Sequence, residues 1–102
     1  MDLTLESGDV IRGVTDRDIC SRIEGEEFAI LAADDGTYLQ CAEQRATPYE
    51  YILEYQEGGD PSKHYQATDD AVPVDRVIAT FLKYLRGDES WKSDFTWQRI
   101  EL

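Results

Sequence analysis

Phe28-Ala29-Ile30-Leu31-Ala32-Ala33, Asp34-Asp35-Gly36, Thr37-Tyr38-Leu39-Gln40-Cys41-Ala42: these fifteen residues decide the fold. Two apolar runs flank an Asp-Gly pair, a strong short-range signal for a β-hairpin. With Asp35-Gly36 as the turn, Ile30 lies opposite Cys41 and Ala32 opposite Leu39 on one face. Leu31 and Ala33 share the other face with Gln40 and Tyr38. A hairpin this apolar on both faces belongs in the middle of a sheet.

Outward from the hairpin, Tyr49, Tyr51, Leu53 and Tyr55 alternate with Glu50, Ile52, Glu54 and Gln56, the period of a half-buried strand. Glu57-Gly58-Gly59-Asp60-Pro61 is a turn rich in breakers, and residues 63 to 68 read as the returning strand. These four strands predict an antiparallel meander. A helix follows: Pro73 suits its first turn, Asp75 complements the positive end of its dipole, and Gly87 stops it. Val74, Val77, Ile78, Phe81, Leu82 and Leu85 form its apolar stripe, with Phe81 at the centre and enough width to cover one face of the sheet. Trp91 falls in a short turn, and residues 95 to 100 are a candidate last strand.

On the N-terminal side, Thr15 and Asp18 have the spacing of a capping box, and Val14 and Ile19 that of a hydrophobic staple. They predict a helix of about ten residues with Ile19, Cys20 and Ile23 as its stripe, ended by Gly25. Residues 1 to 13, with Leu3, Leu5, Val10 and Ile11 around Ser7-Gly8-Asp9, suit either a small hairpin or a loose arm. The whole is an α+β reading. An antiparallel sheet of four to six strands carries one short N-terminal and one longer C-terminal helix, in a single domain spanning residues 1–102.

Charge separates this chain from an average domain. Twenty-two Asp and Glu against ten Lys and Arg give a formal net charge of -12. Nucleic acid and anionic membranes both demand a basic footprint, so neither is an expected partner; the excess acid suits either a solvated surface or a patch for a basic protein. The 41% of hydrophobic residues are enough for a core, which argues against disorder. No apolar run approaches the roughly 20 residues of a membrane span. Cys20 and Cys41 form no C-x-x-C pair, and Met1-Asp2-Leu3-Thr4 does not open like a signal peptide, so reduced thiols in a cytoplasm are expected.

The chemistry on offer points away from catalysis. His64 is the sole histidine, and neither cysteine has a nucleophile context. Phosphate-loop, dinucleotide and zinc-protease motifs are missing. Glu50 and Glu54 share a strand face, but acid–base work needs one of them buried with a raised pKa. An enzyme built from Glu50, Glu54 and His64 would require all three to meet in one cleft. Asp34-Asp35 and Asp69-Asp70 suit turns and caps better than a calcium loop. The reading therefore assigns no catalytic residue, metal ligand or cofactor. Tyr and Trp, however, are the side chains most enriched at binding hot spots. The candidate partner-binding set is thus Glu50, Glu54, Tyr55, Trp91 and Trp97, while Tyr49, Tyr51, Tyr55, Trp91 and Trp97 all also suit core or cover for the sheet edges.

The run Phe81-Leu82-x-Tyr84-Leu85-x-Gly87-Asp88-x-x-Trp91-x-x-x-Phe95-x-Trp97 resembles the C-terminal pattern of small bacterial immunity proteins of polymorphic toxin systems, specifically the family numbered first among them. The strand with Asp35-Gly36-x-Tyr38-Leu39-Gln40, the pair Glu54-Tyr55, and Pro73 before an amphipathic helix agree with it. The resemblance covers roughly residues 27 to 99 and is most specific in the last third. It implies a cytoplasmic protein that neutralises a toxin, often a cationic nuclease, by stoichiometric binding, with no active-site residues to carry over. The functional expectation is a non-enzymatic binding protein. The runner-up is a small-ligand or metal-binding regulator, which a deep pocket would favour and a convex acidic surface would not.

Overall fold

In the computed structural model, which describes residues 1–44 and 47–100 (side chains of 47–49 excepted), the central hairpin closes through a loop of three residues. Ala33 donates its N–H to the Thr37 carbonyl at 2.8 Å, Gly36 donates to the Ala33 carbonyl at 3.3 Å, and Gly36 has φ 88°. That is a turn closed by an i→i+3 hydrogen bond and followed by a left-handed glycine, as in the usual three-residue loop. The extra loop residue corrects the expected register. In β3 (Phe28–Ala32) and β4 (Tyr38–Gln44), Ala29 faces Cys41 and Leu31 faces Leu39, while Ile30 faces Gln40 and Ala32 faces Tyr38.

The meander continues into β5 (Thr47–Gln56) and β6 (His64–Ala67), as the alternation predicts. Residues 1 to 13 are a hairpin and not an arm. β1 (Asp2–Leu5) pairs with β2 (Val10–Arg12) and, on its other side, with β3, placing Leu3 opposite Leu31. β7 (Val72–Pro73) pairs with β5, and β8 (Trp97–Arg99) closes on β6. The order is β2-β1-β3-β4-β5-β6-β8, all antiparallel, with the β3–β4 hairpin central. The described sheet has eight strands where four to six are expected. The surplus comes from the N-terminal hairpin and the short β7, segments whose apolar patterns are too brief to read as strands alone.

Both helices lie on one side of this sheet. α1 (Asp16–Arg22) begins with the capping box: Asp18 Oδ2 accepts from the Thr15 N–H at 2.9 Å, and Thr15 Oγ1 accepts from the Asp18 N–H at 3.4 Å. Those Thr15 bonds hold the Asp18 carboxyl below its ordinary pKa. Seven residues long, α1 buries Ile19 and, at its C-cap, Ile23, but Cys20 is exposed. An i, i+4 pair is all so short a helix turns inward, which corrects the expected stripe.

α2 (Val74–Arg86) ends in a Schellman motif, with the Asp88 N–H donating to the Lys83 carbonyl and the Gly87 N–H to the Tyr84 carbonyl at φ 76°. Its innermost line is Val77, Thr80, Phe81 and Tyr84; Val74, Ile78, Leu82 and Leu85 flank it half-buried. Thr80 reaches the interior because its hydroxyl donates back to the Arg76 carbonyl at 2.7 Å. Phe81 is fully buried against the sheet face formed by Leu3, Leu31, Leu39, Leu53 and Tyr51. Arg86 of α2 pairs with Asp16 at the start of α1, fastening one helix to the other.

Candidate binding cleft

Four segments distant in sequence meet where β5 ends. The β3–β4 turn brings Asp35, the end of β5 brings Tyr55 and Glu57, the last turn of α2 brings Tyr84, and the 3₁₀ turn Glu89–Lys92 brings Trp91 and Lys92. Between them lies a cleft of about 510 Å³. Each wall has a local cause. Gly36 packs so close to the Gly58-Gly59 backbone that a Cβ there would stand 3.0 Å from the Gly59 nitrogen. Thr37 Oγ1 accepts from the Gly58 N–H at 2.9 Å, tying the two turns together. Asp88 caps the 3₁₀ turn by accepting from the Ser90 N–H at 3.0 Å.

The floor is aromatic. Tyr55 and Trp91 meet edge to face, centroids 5.0 Å apart, and Tyr84 meets Trp91 at 5.6 Å. Trp97 backs this cluster, 4.8 Å from Tyr55 and 5.7 Å from Trp91, and its Nε1–H donates to the Lys92 carbonyl at 2.9 Å. Trp97 thereby fixes the 3₁₀ turn on the strand that carries it. Burial pushes the phenols of Tyr55 and Tyr84 up to about 12, with Glu57 and Tyr65 adding to the first and Asp35 to the second. Both are neutral across the physiological range and present ring faces and hydroxyls, not charge.

The rim is acidic, and among the described lining residues Lys92 is the one basic side chain. Lys92 Nζ stands 3.6 Å from Glu57 Oε1 and 5.8 and 5.6 Å from the ring centroids of Tyr55 and Trp91. Deeper in, Tyr84 is 7 % exposed, and its hydroxyl has no hydrogen-bond partner among the described residues. A buried hydroxyl left unpaired costs about 1–3 kcal/mol, so this one is out of the ordinary.

The sheet's other face, which no helix covers, carries a separate polar network. His64, 3 % exposed, places Nε2 2.9 Å from Glu54 Oε1 and Nδ1 3.4 Å from the Tyr38 hydroxyl. Gln40 donates to Glu54 Oε2 at 2.8 Å, and Tyr38 donates to Gln56 Oε1 at 3.3 Å. Burial, then the nearby Glu54 charge, raises the Tyr38 phenol. Glu50 shares this face but sits four residues up the strand from Glu54, about 13 Å away at the usual rise. Glu54 and His64 therefore meet while Glu50 does not join them, and none of the three lines the cleft.

Among the sequence-derived candidates, Tyr55, Trp91 and Trp97 come together; Glu50 and Glu54 lie across the sheet from them. The side chain of Tyr49 lies outside the described ones. Sequence reading missed Asp35, Glu57, Tyr84 and Lys92. Glu57 had a signal, since two residues after Tyr55 it shares that strand's parity, and Tyr84 had another in its i+3 spacing from Phe81. Among the described residues no group of three or more His, Cys, Asp and Glu side chains gathers to hold a metal, and no helix is long and apolar enough to cross a membrane. No protein-family model, curated protein or solved structure matches the chain, so the resemblance to toxin-immunity proteins rests on the quoted residues alone.

Proposed function

We propose that this chain is a non-enzymatic binding protein that takes a basic protein partner, with the cleft at the end of β5 as part of the contact. The observation that supports it is the cleft's composition, an aromatic floor under carboxylates in a chain of formal net charge -12. Aromatic anchors supply desolvated contact area, and excess negative charge steers a cationic partner toward it. Stoichiometric neutralisation of a cationic toxin is the narrower form of this reading, favoured by the C-terminal resemblance. A volume of about 510 Å³ is also ordinary for small-molecule sites, so a small cationic ligand is the second reading.

The test is capture of a partner from the source organism, followed by binding kinetics at low and high salt. The expected partner is basic, and its association rate falls about tenfold or more as salt rises, while dissociation changes little. An acidic or neutral partner whose association ignores salt would show that the charge serves solubility only.

A further inference from the structure

We infer that the cleft is a socket for an arginine side chain of the partner, and that Lys92 is its built-in competitor. The inference rests on the basic-partner reading and adds the chemistry of the contact. The site already accepts a cation: the Lys92 ammonium lies over Tyr55 and Trp91 beside Glu57, within the range of cation–π attraction. The Lys92 side chain is 37 % exposed, so it can swing into water and leave that position to another group. What Lys92 does not do is satisfy the Tyr84 hydroxyl: the residue lines the same cleft, but its oxygen is sealed from solvent and has no partner among the described residues.

A guanidinium meets both needs. It is planar, so it stacks on an aromatic face, and its five N–H donors point in fixed, divergent directions. With Lys92 swung out and the wall around Tyr84 opened, one edge can serve Glu57 or Asp35 while another N–H gives its hydrogen to the Tyr84 oxygen, which is closed to solvent in the unbound chain. A lysine ammonium would only repeat what Lys92 supplies, and a quaternary ammonium has no N–H to give. Anions are repelled by Asp35, Glu57 and Glu89 on the rim.

The experiment follows the indole N–H signal of Trp91 by NMR while the full chain is titrated with N-acetyl-arginine amide. N-acetyl-lysine amide, tetramethylammonium and N-acetyl-citrulline amide are the comparison probes. The expected result is a saturable shift with the arginine probe, at least about tenfold tighter than with the others. Lys92→Met should tighten it several-fold by removing the competitor. Tyr84→Phe, which keeps the ring and removes the orphan hydroxyl, should weaken it several-fold. No saturable shift, equal affinity for the lysine and arginine probes, or weaker binding in Lys92→Met overturns the socket. The same variants, tested against the captured partner, separate the two ideas. If a basic partner binds with salt-sensitive kinetics but neither variant changes its Kd, the socket fails and the basic-partner reading stands. If the arginine probe binds as expected but does not displace the captured partner, the socket stands and the reading of the cleft as that partner's contact fails.

Discussion

At Gly36 the absence of one methyl group fixes the position of a charge. The residue has φ 88°, where an L side chain costs about 1–2 kcal/mol, and it also presses on the backbone of Gly58 and Gly59. That close approach holds the β3–β4 turn against the β5–β6 turn and sets Asp35 on the rim of the cleft. Gly8 has φ 93° with nothing within 4 Å of where a Cβ would stand, so it isolates the conformational part. Gly8→Ala should cost about 1–2 kcal/mol in urea melts. Gly36→Ala should cost about 1–3 kcal/mol more, because backbone atoms have no rotamer through which to yield. Equal losses at the two positions would show that the turn-to-turn contact contributes nothing.

Among the elements, what the sequence disclosed was local and what it hid was relational. The start of α1 was legible because a capping box is an i, i+3 matter between Thr15 and Asp18, complete within one turn. Thr15→Ala should therefore destabilise the protein by about 1 kcal/mol, read from the denaturant midpoint. An unchanged midpoint would mean that packing of Ile19 and Ile23 alone sets the helix. The alternation of Tyr51, Leu53 and Tyr55 was legible for the same reason, as was the left-handed stop at Gly87. The hairpin register was not, since Asp34-Asp35-Gly36 suits a two-residue and a three-residue loop alike, and the difference moves every side chain of β3 to the other face. The candidate site was legible only by residue type. Tyr55, Trp91 and Trp97 stand out as the kind of side chain that anchors contacts. That Glu50 and Glu54 are separated from them by the thickness of a sheet, while Asp35, Glu57 and Tyr84 join them, is a consequence of tertiary packing that no local pattern encodes.

For the molecule as a whole, the field that would steer a partner also acts on the fold. An excess of 12 negative charges is confined to a body with a Cα radius of gyration of 12.5 Å, close to the Debye length of about 10 Å at 0.1 M salt. Mutual repulsion therefore reaches across the whole structure at low ionic strength and is largely screened at high. Opposing it are surface ion pairs such as Arg86–Asp16, Lys83–Asp94 and Arg22–Asp9, which salt weakens. Surface pairs of this kind contribute little each, and acids outnumber bases by 22 to 10, so repulsion should win. The melting temperature at pH 7 should rise by roughly 5–10 °C between about 10 mM and 0.5 M sodium chloride, corresponding to about 1–2 kcal/mol. Near the sequence pI of about 4.2 the net charge vanishes and only the ion pairs remain. There the same addition of salt should leave the melting temperature level or lower it. A rise of equal size at both pH values would trace the effect to salting-out and not to charge, and a flat response at pH 7 would mean that the local pairs already cancel the repulsion.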